Sequence, residues 1–112
     1  VKNVKNKKID REYTMQYTGF EFEWDATKNE RNYQKHSVWF EEAQTIWADA
    51  HAIEFFDGQR ASPEDRFLRV GHSTNSRLLL AVFCERNLGK TIRIISARKA
   101  TGKERHDYEE GI

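Results

Sequence analysis

The sequence predicts an α+β fold: N-terminal helices packed on an antiparallel sheet of about four strands, with a short C-terminal helix. Three observations carry this. Apolar residues recur with a helical period in the first half of the chain and with a strand period from residue 52 onward. The strand segments are separated by short polar breaks, which favour antiparallel hairpins. Helix-capping signals stand at Asp25 and again at Thr101. At 112 residues the chain is long enough for one domain with a modest core.

The elements follow in order. The opening "VKNVKNKKIDREYT" has neither period, and Met15 follows it directly. Residues 1–14 are therefore expected to be a non-native or disordered leader, and residues 15–112 the folded domain. "FEFEW" (20–24) alternates apolar and acidic residues, as a short half-solvated strand does. "DATKNERNYQKH" (25–36) reads as a helix with Asp25 or Thr27 as N-cap, and Thr27 with Glu30 fits a capping box. In "VWFEEAQTIWADA" (38–50), Phe40, Ala43 and Trp47 recur at i, i+3 and i+7 with Ile46 beside them, giving an amphipathic second helix. Its early Glu41 and Glu42 suit the helix dipole. "AIEFF" (52–56) is a strand and "DGQRASPED" (57–65) a loop carrying the only proline. "RFLRVGH" (66–72), "RLLLAVFCE" (77–85) and "TIRIISARK" (91–99) are three more strands. In "TGKERHDYEE", Thr101 and Glu104 form a second capping box, so a short helix ends the domain.

Composition narrows the function classes. Charged residues are 33% of the chain and hydrophobic ones 38%, as in ordinary soluble domains. The single cysteine, Cys84, excludes an internal disulfide and a cysteine zinc cluster, and its place in "LLLAVFC" predicts a buried thiol. No apolar stretch approaches the roughly 18 residues of a membrane span, so no membrane contact is expected and the default location is cytoplasmic. The net charge of +1 hides a division: Gln16–Gln59 holds three Lys/Arg against nine Asp/Glu, and Arg60–Tyr108 eleven against five. Such a division either steers an acidic partner to one region or averages away in the folded surface.

The sequence has no nucleotide-binding loop, no Cys/His zinc signature and no HExxH, so no metal or cofactor is expected. What remains is a set of basic, histidine and acidic side chains on the strands. Simple alternation puts Ile92, Ile94, Ser96 and Arg98 on one face of their strand, with Arg93, Ile95 and Ala97 on the other. Arg98 stands near the strand end, where a guanidinium fork suits a phosphate or equally a neighbouring glutamate. Arg66 and Arg69 fall on opposite faces. Glu64 is placed to deprotonate a ribose 2′-OH or simply to cap an arginine. Histidine is the side chain that exchanges protons near neutrality, which singles out His72 and His36; a helix end also favours histidine without any catalytic role. His51 and His106 read as surface residues. Lys28, one turn into the first helix, is a phosphate contact or a solvated charge. Trp39, beside Phe40, is the aromatic residue expected to stay partly exposed. No helix shows a clustered basic face, which argues against direct binding of duplex DNA by this chain alone.

Taken together, "FEWDATKNERNYQKHSVWFEEAQTIWAD", "EDRFLRVGHS" and "IRIISARKATGKERHDYE" resemble the BrnT toxin family over about Phe22–Glu109. The family pattern D-x-x-K-x-x-x-N-x-x-K-H matches Asp25, Lys28, Asn32, Lys35 and His36. Its E-x-R-F segment matches Glu64, Arg66 and Phe67, and its R-I-I-S-A-R-x-A matches Arg93 to Ala100. The closing T-x-x-E-R-x-x-Y matches Thr101, Glu104, Arg105 and Tyr108. The resemblance implies a RelE-like fold and the toxin of a type II toxin–antitoxin pair, an endoribonuclease that inhibits translation. It implies neutralisation by a cognate BrnA-like antitoxin of the ribbon-helix-helix type, with operator DNA bound only through the complex. On this reading cleavage is metal-independent, Arg98, Glu64, Arg66, His36 and His72 are the catalytic candidates, and Lys28, Arg69, Arg93 and Lys99 are the RNA contacts. The competing class is a non-enzymatic module that only binds protein or RNA. Two positions depart from the family's "KHGVSF": Ser37 stands for its glycine and Trp39 for its serine N-cap. The backbone at Ser37 must therefore avoid positive φ or tolerate it, and the second helix needs another cap.

Overall fold

The computed structural model describes residues 12–61 and 64–112. Its elements are β1 (Glu12–Tyr17), β2 (Phe20–Asp25), α1 (Ala26–His36), α2 (Phe40–Ala43) continued by a 3₁₀ helix (Gln44–Ala48), β3 (Ile53–Ala61), β4 (Glu64–His72), β5 (Leu78–Arg86), β6 (Thr91–Lys99) and α3 (Gly102–Glu110). The strands form one sheet in the order β1-β2-β6-β5-β4-β3. β2 runs parallel to β6, and the other neighbours are antiparallel.

The α+β class stands, but the sheet of about four antiparallel strands becomes a mixed sheet of six. β2 joins the sheet beside β6 through Glu21–Glu23 instead of standing apart. β1 has almost no apolar period of its own and its side chains are largely exposed. It is a strand because its backbone pairs with β2 from Glu12 to Tyr17, an edge role that needs no buried face. It also crosses the boundary expected near Met15; the remainder of the expected leader, residues 1–11, lies outside the described residues. The segment 57–65, expected as a loop, instead lengthens the hairpin, with Arg60 paired to Asp65 and Ala61 to Glu64 beyond a register shift. The proline itself falls outside the described residues.

One sheet face is covered by α2 and the 3₁₀ helix. Phe22, Trp24, Val38, Phe40, Ile46, Trp47, Leu79, Phe83, Ile92 and Ile94 form its core, most of them fully buried. Trp47 sits edge-on between Phe22 and Phe83, at 5.1 and 5.0 Å between ring centroids. Each such side chain stabilises the fold by about 1.5–3 kcal/mol. The predicted stripe of Phe40, Ala43, Ile46 and Trp47 is buried as expected, although after one α-helical turn its second half tightens to a 3₁₀ helix. The opposite face carries a smaller cluster of Val70, Leu78 and Leu80, with Ile53, Phe55, Leu68, Val82 and Tyr108 packed against it. Of the helices, only α3 crosses a corner of that face.

α1 docks through amides instead of an apolar stripe: its buried residues are Asn29 and Asn32. Asp25 caps it, accepting from Thr27 N at 2.8 Å and Lys28 N at 3.3 Å, so the alternative Thr27 box is not used. Asn29 accepts the Phe40 N–H at 2.7 Å, supplying from α1 the cap that Trp39 cannot give α2. Trp39 is 41% exposed and stacks on Tyr33 at 4.2 Å. Ser37 takes the left-handed conformation at φ 59°, so the chain tolerates positive φ without glycine.

Candidate functional site

The geometry of the site starts from a β-bulge in β6. Val82 of β5 pairs with Ser96 while Phe83 pairs with Ile94, which leaves Ile95 as an extra residue. The extra residue reverses the alternation. Ile92, Ile94 and then Ala97 all enter the helix-covered core. Arg93, Ser96 and Arg98, opposite Cys84, Val82 and Leu80 respectively, share the other face. Alternation had placed Arg93 opposite to Arg98 and Ser96 beside Ile94; the bulge corrects both.

Past Arg93, β6 has no strand on its outer edge, and α1 takes that place. Asn32 Nδ2 donates to Ala97 O at 2.9 Å and to Val38 O at 2.8 Å, while Asn32 Oδ1 accepts from Ala97 N at 3.1 Å. One side-chain amide thus mimics a neighbouring strand and fixes α1 against the bulge.

Two groups of candidate residues result. The first lies at the corner crossed by α3. Arg98 makes a two-pronged ion pair with Glu104, 2.9 Å on each prong, and Glu104 also accepts from Thr101 N at 2.8 Å within the predicted capping box. The bond from Arg98 outweighs burial and holds the Glu104 carboxyl below its ordinary range. One turn further along α3, the Tyr108 hydroxyl donates to Asp49 Oδ2 at 2.7 Å and lies 3.1 Å from His72 Nδ1. Burial first, then the Asp49 carboxylate, pushes the Tyr108 hydroxyl up to about 12. Burial would raise Asp49, but bonds from the His72 N–H, the Tyr108 hydroxyl and the His51 N–H prevail and keep it low. Because an ionised Asp49 only accepts, the single Tyr108 proton goes to it. Nδ1 of His72 is then the donor to the tyrosine oxygen, and in the neutral form of this exposed ring Nε2 is the nitrogen left without a hydrogen. Glu104 and Tyr108 sit one turn apart, so one stripe of α3 holds both Arg98 and His72, whose backbones are roughly 12 Å apart across two strand spacings and two residues of stagger.

The second group lines a cavity of about 300 Å³ between α1 and the bulge: Lys28, Arg31, Lys35 and His36 above, Ile95 and Ser96 below. Positions 28, 31, 35 and 36 form one helical stripe. α1 therefore does carry a clustered basic face, contrary to the reading of its sequence. Among the described residues none of these four side chains has an ion-pair or hydrogen-bond partner. Ser96 lies two residues from Arg98 on one face, so the groove runs into the α3 corner within about 7 Å.

The other expected site residues are dispersed. Arg69 faces the helices, where it pairs with Glu54 at 2.6 Å and lies 5.1 Å over the Trp47 ring, on the opposite side of the sheet from Arg98. Arg93 bonds Glu12 at 2.8 Å and Glu23 at 3.2 Å, tying β6 to β1 and β2. Arg66 is on the open face but one residue past the Phe67–Phe83 pair, far along β4 from His72, with Nε buried and lacking a hydrogen bond among the described residues. The side chain of Glu64 lies outside the described residues. Lys99 projects away from Arg98, into a cavity with Arg77 and Arg105. Residue-by-residue reading missed Asp49 and the role of Tyr108, for want of any local signal. It also missed Arg31 and Lys35, which the 28-31-35-36 spacing could have shown. Among the described residues no helix is long and apolar enough to cross a membrane.

A mixed sheet packed on short helices, with ion-paired arginines, a histidine and a basic groove around one strand end, defines a small α+β domain with one cationic edge. The model of the family described as "Ribonuclease toxin, BrnT, of type II toxin-antitoxin system" matches residues 24–104. The chain belongs to that family, the BrnT toxins. Its fold is similar to the 1.1 Å crystal structure of the Brucella abortus ribonuclease toxin BrnT, with a TM-score of 0.52 at 21% identity, covering 70% of this chain and 92% of that one. The comparison with curated proteins gave no match.

Proposed function

We propose that this toxin cuts RNA without a metal ion at the corner where α3 crosses the sheet, by attack of a ribose 2′-OH on the adjacent phosphorus. The observation that carries the reading is the Asp49–Tyr108–His72 chain, which turns the Nε2 side of the neutral ring outward on the same stripe of α3 as the Arg98 fork. His72 Nε2 takes the 2′-OH proton as the O2′–P bond forms. Arg98 exchanges Glu104 for the phosphate and meets the charge that develops on it. The O5′ that leaves as the P–O5′ bond breaks takes its proton from water, while His36, beyond Ser96 on the other side of Arg98, lies along the path of the strand. The products are a 2′,3′-cyclic phosphate and a 5′-hydroxyl. In the cell the cut RNA stops translation, and a BrnA-like ribbon-helix-helix antitoxin neutralises the toxin and links the pair to its operator DNA.

Antitoxin-free protein incubated with 5′-labelled RNA in EDTA tests this directly. Wild type should give cyclic-phosphate ends. Arg98→Ala and His72→Ala should each lose about 10²–10³-fold in rate while keeping the wild-type circular dichroism spectrum. Equal cleavage by Arg98→Ala, or loss of all activity in EDTA, would overturn the mechanism. Binding without cleavage under every condition would favour the non-enzymatic module instead.

A further inference from the structure

We infer that the groove between α1 and the bulge of β6 is a phosphodiester-binding subsite that holds the RNA strand beside the scissile bond, through Lys28, Arg31 and Lys35. This rests on the ribonuclease reading for what the strand is held for, but not for whether the groove binds it.

Four features of the groove support it. The first is the contrast in pairing. Arg69, Arg77, Arg93 and Arg98 are all matched by glutamates, whereas the groove cations have no partner among the described residues. Second, the arrangement carries an energetic penalty that α1 itself does not relieve. Arg31 and Lys35 are like charges at i, i+4, a repulsive spacing. The helix dipole favours Lys35 and His36 in the last turn, but it opposes Lys28 in the first, where α1 has no acidic residue. Third, the groove has a fixed floor. Asn32 bonds Ala97 N and O, holding the helix at a set height over Ile95 and Ser96. Fourth, it leads somewhere, because Ser96 and Arg98 share a face two residues apart.

The chemistry selects the ligand. Lys28 to Lys35 spans about 10 Å of helix axis, room for more than one phosphate of an extended strand. Ser96 offers a hydroxyl to a phosphate or ribose oxygen. Among the described residues no Phe, Tyr or Trp lines the groove, so its grip is on the backbone more than on the bases. The exposed Tyr33–Trp39 stack, which would suit a protein partner, lies outside the groove lining.

The test uses the whole chain and an RNA oligonucleotide with 2′-O-methyl riboses, which lacks the attacking hydroxyl and so reports binding alone. Fluorescence anisotropy across a salt series gives the slope of log Kd against log salt. For single strands each neutralised phosphate contributes about 0.7 to that slope, so K28Q/R31Q/K35Q should lower it by about 2. The control E30Q/Q34E, on the opposite side of α1, should leave the slope at the wild-type value. A triple variant with wild-type slope and a wild-type melting temperature would overturn the subsite, even if the protein cleaves RNA. Loss of slope in a protein that never cleaves would instead retire the ribonuclease reading and leave the groove standing. If the variant keeps its RNA slope but loses binding to a poly-glutamate peptide, the groove is an acidic-peptide site and the inference fails.

Discussion

Replacing Asn32 with alanine should destabilise this toxin more than any other single change to a polar side chain in α1. The side chain is 7% exposed and makes three hydrogen bonds, two to the otherwise unpaired edge of β6 at Ala97 and one to Val38 O. Truncation leaves one N–H and two carbonyls without partners in a buried place, and each such orphan costs about 1–3 kcal/mol. A water molecule can enter the vacated space and recover part of this, so a net loss of about 3 kcal/mol is expected. Small domains are stable by only about 5–15 kcal/mol in total, and each kcal/mol moves the melting temperature of a domain of this size by about 4–8 °C. A drop of roughly 12–24 °C should therefore be seen by circular dichroism. Asn32→Leu keeps the volume but also excludes the rescuing water, so it should be no more stable than the alanine variant. If both variants unfold within 1 kcal/mol of wild type in urea, the amide is not what holds α1 to β6.

Other predictions concern the caps and the α3 corner. Ser37→Gly should raise stability by about 0.5–1 kcal/mol, because glycine removes the strain of a left-handed residue at φ 59° while losing some entropy on folding; an unchanged urea midpoint would show that serine is unstrained there. Glu104 is held below its ordinary value of 4.5 chiefly by Arg98, so its contribution is complete above pH 4.5 and lost as the pH falls through the lower folded value. Glu104→Gln should lower the melting temperature at pH 7 and flatten the acid limb of the stability curve below pH 4.5; parallel curves for the two proteins would refute the pairing.

Much of the fold was legible because it rests on periodic burial. The stripe Phe40, Ala43, Ile46, Trp47 and the capping box at Thr101 were readable from spacing alone, and both are present. What was hidden depends on long-range pairing. β1 has no apolar face and exists only because β2 offers it a ladder. The bulge at Ile95 leaves no mark in a strand whose residues alternate plausibly in either register, yet it decides which arginines share a face. The site was legible in its residue types more than in their grouping. His72, Arg98, His36 and Lys28 were all named, but the tertiary contacts alone divide them between the α3 corner and the α1 groove. Tyr108 meets Asp49 across 59 positions of sequence, a contact without local signature.

The charge division along the chain has a physical outcome that its arithmetic did not suggest. The acidic first half and the basic second half do not form two opposed faces. They close on each other: Glu23 with Arg86 and Arg93, Glu42 with Arg77, and Glu54 with Arg69. These pairs tie β2, α2 and β3 to β6, β5, β4 and the loop before β5, and so take up three of the nine acids and four of the eleven cations. What remains unpaired along α1 is Lys28, Arg31 and Lys35, and these are the only three Lys/Arg of the acidic half. Part of the field that can reach a polyanion therefore comes from the segment whose composition argues against it. Net charge by segment cannot locate such a site, because an ion pair cancels two charges wherever they lie in sequence. Tracing where the fold leaves cations without partners among the described residues does more: Lys90, Lys99 and Arg105 stand elsewhere, while Lys28, Arg31 and Lys35 share one stripe of α1 that leads to Arg98.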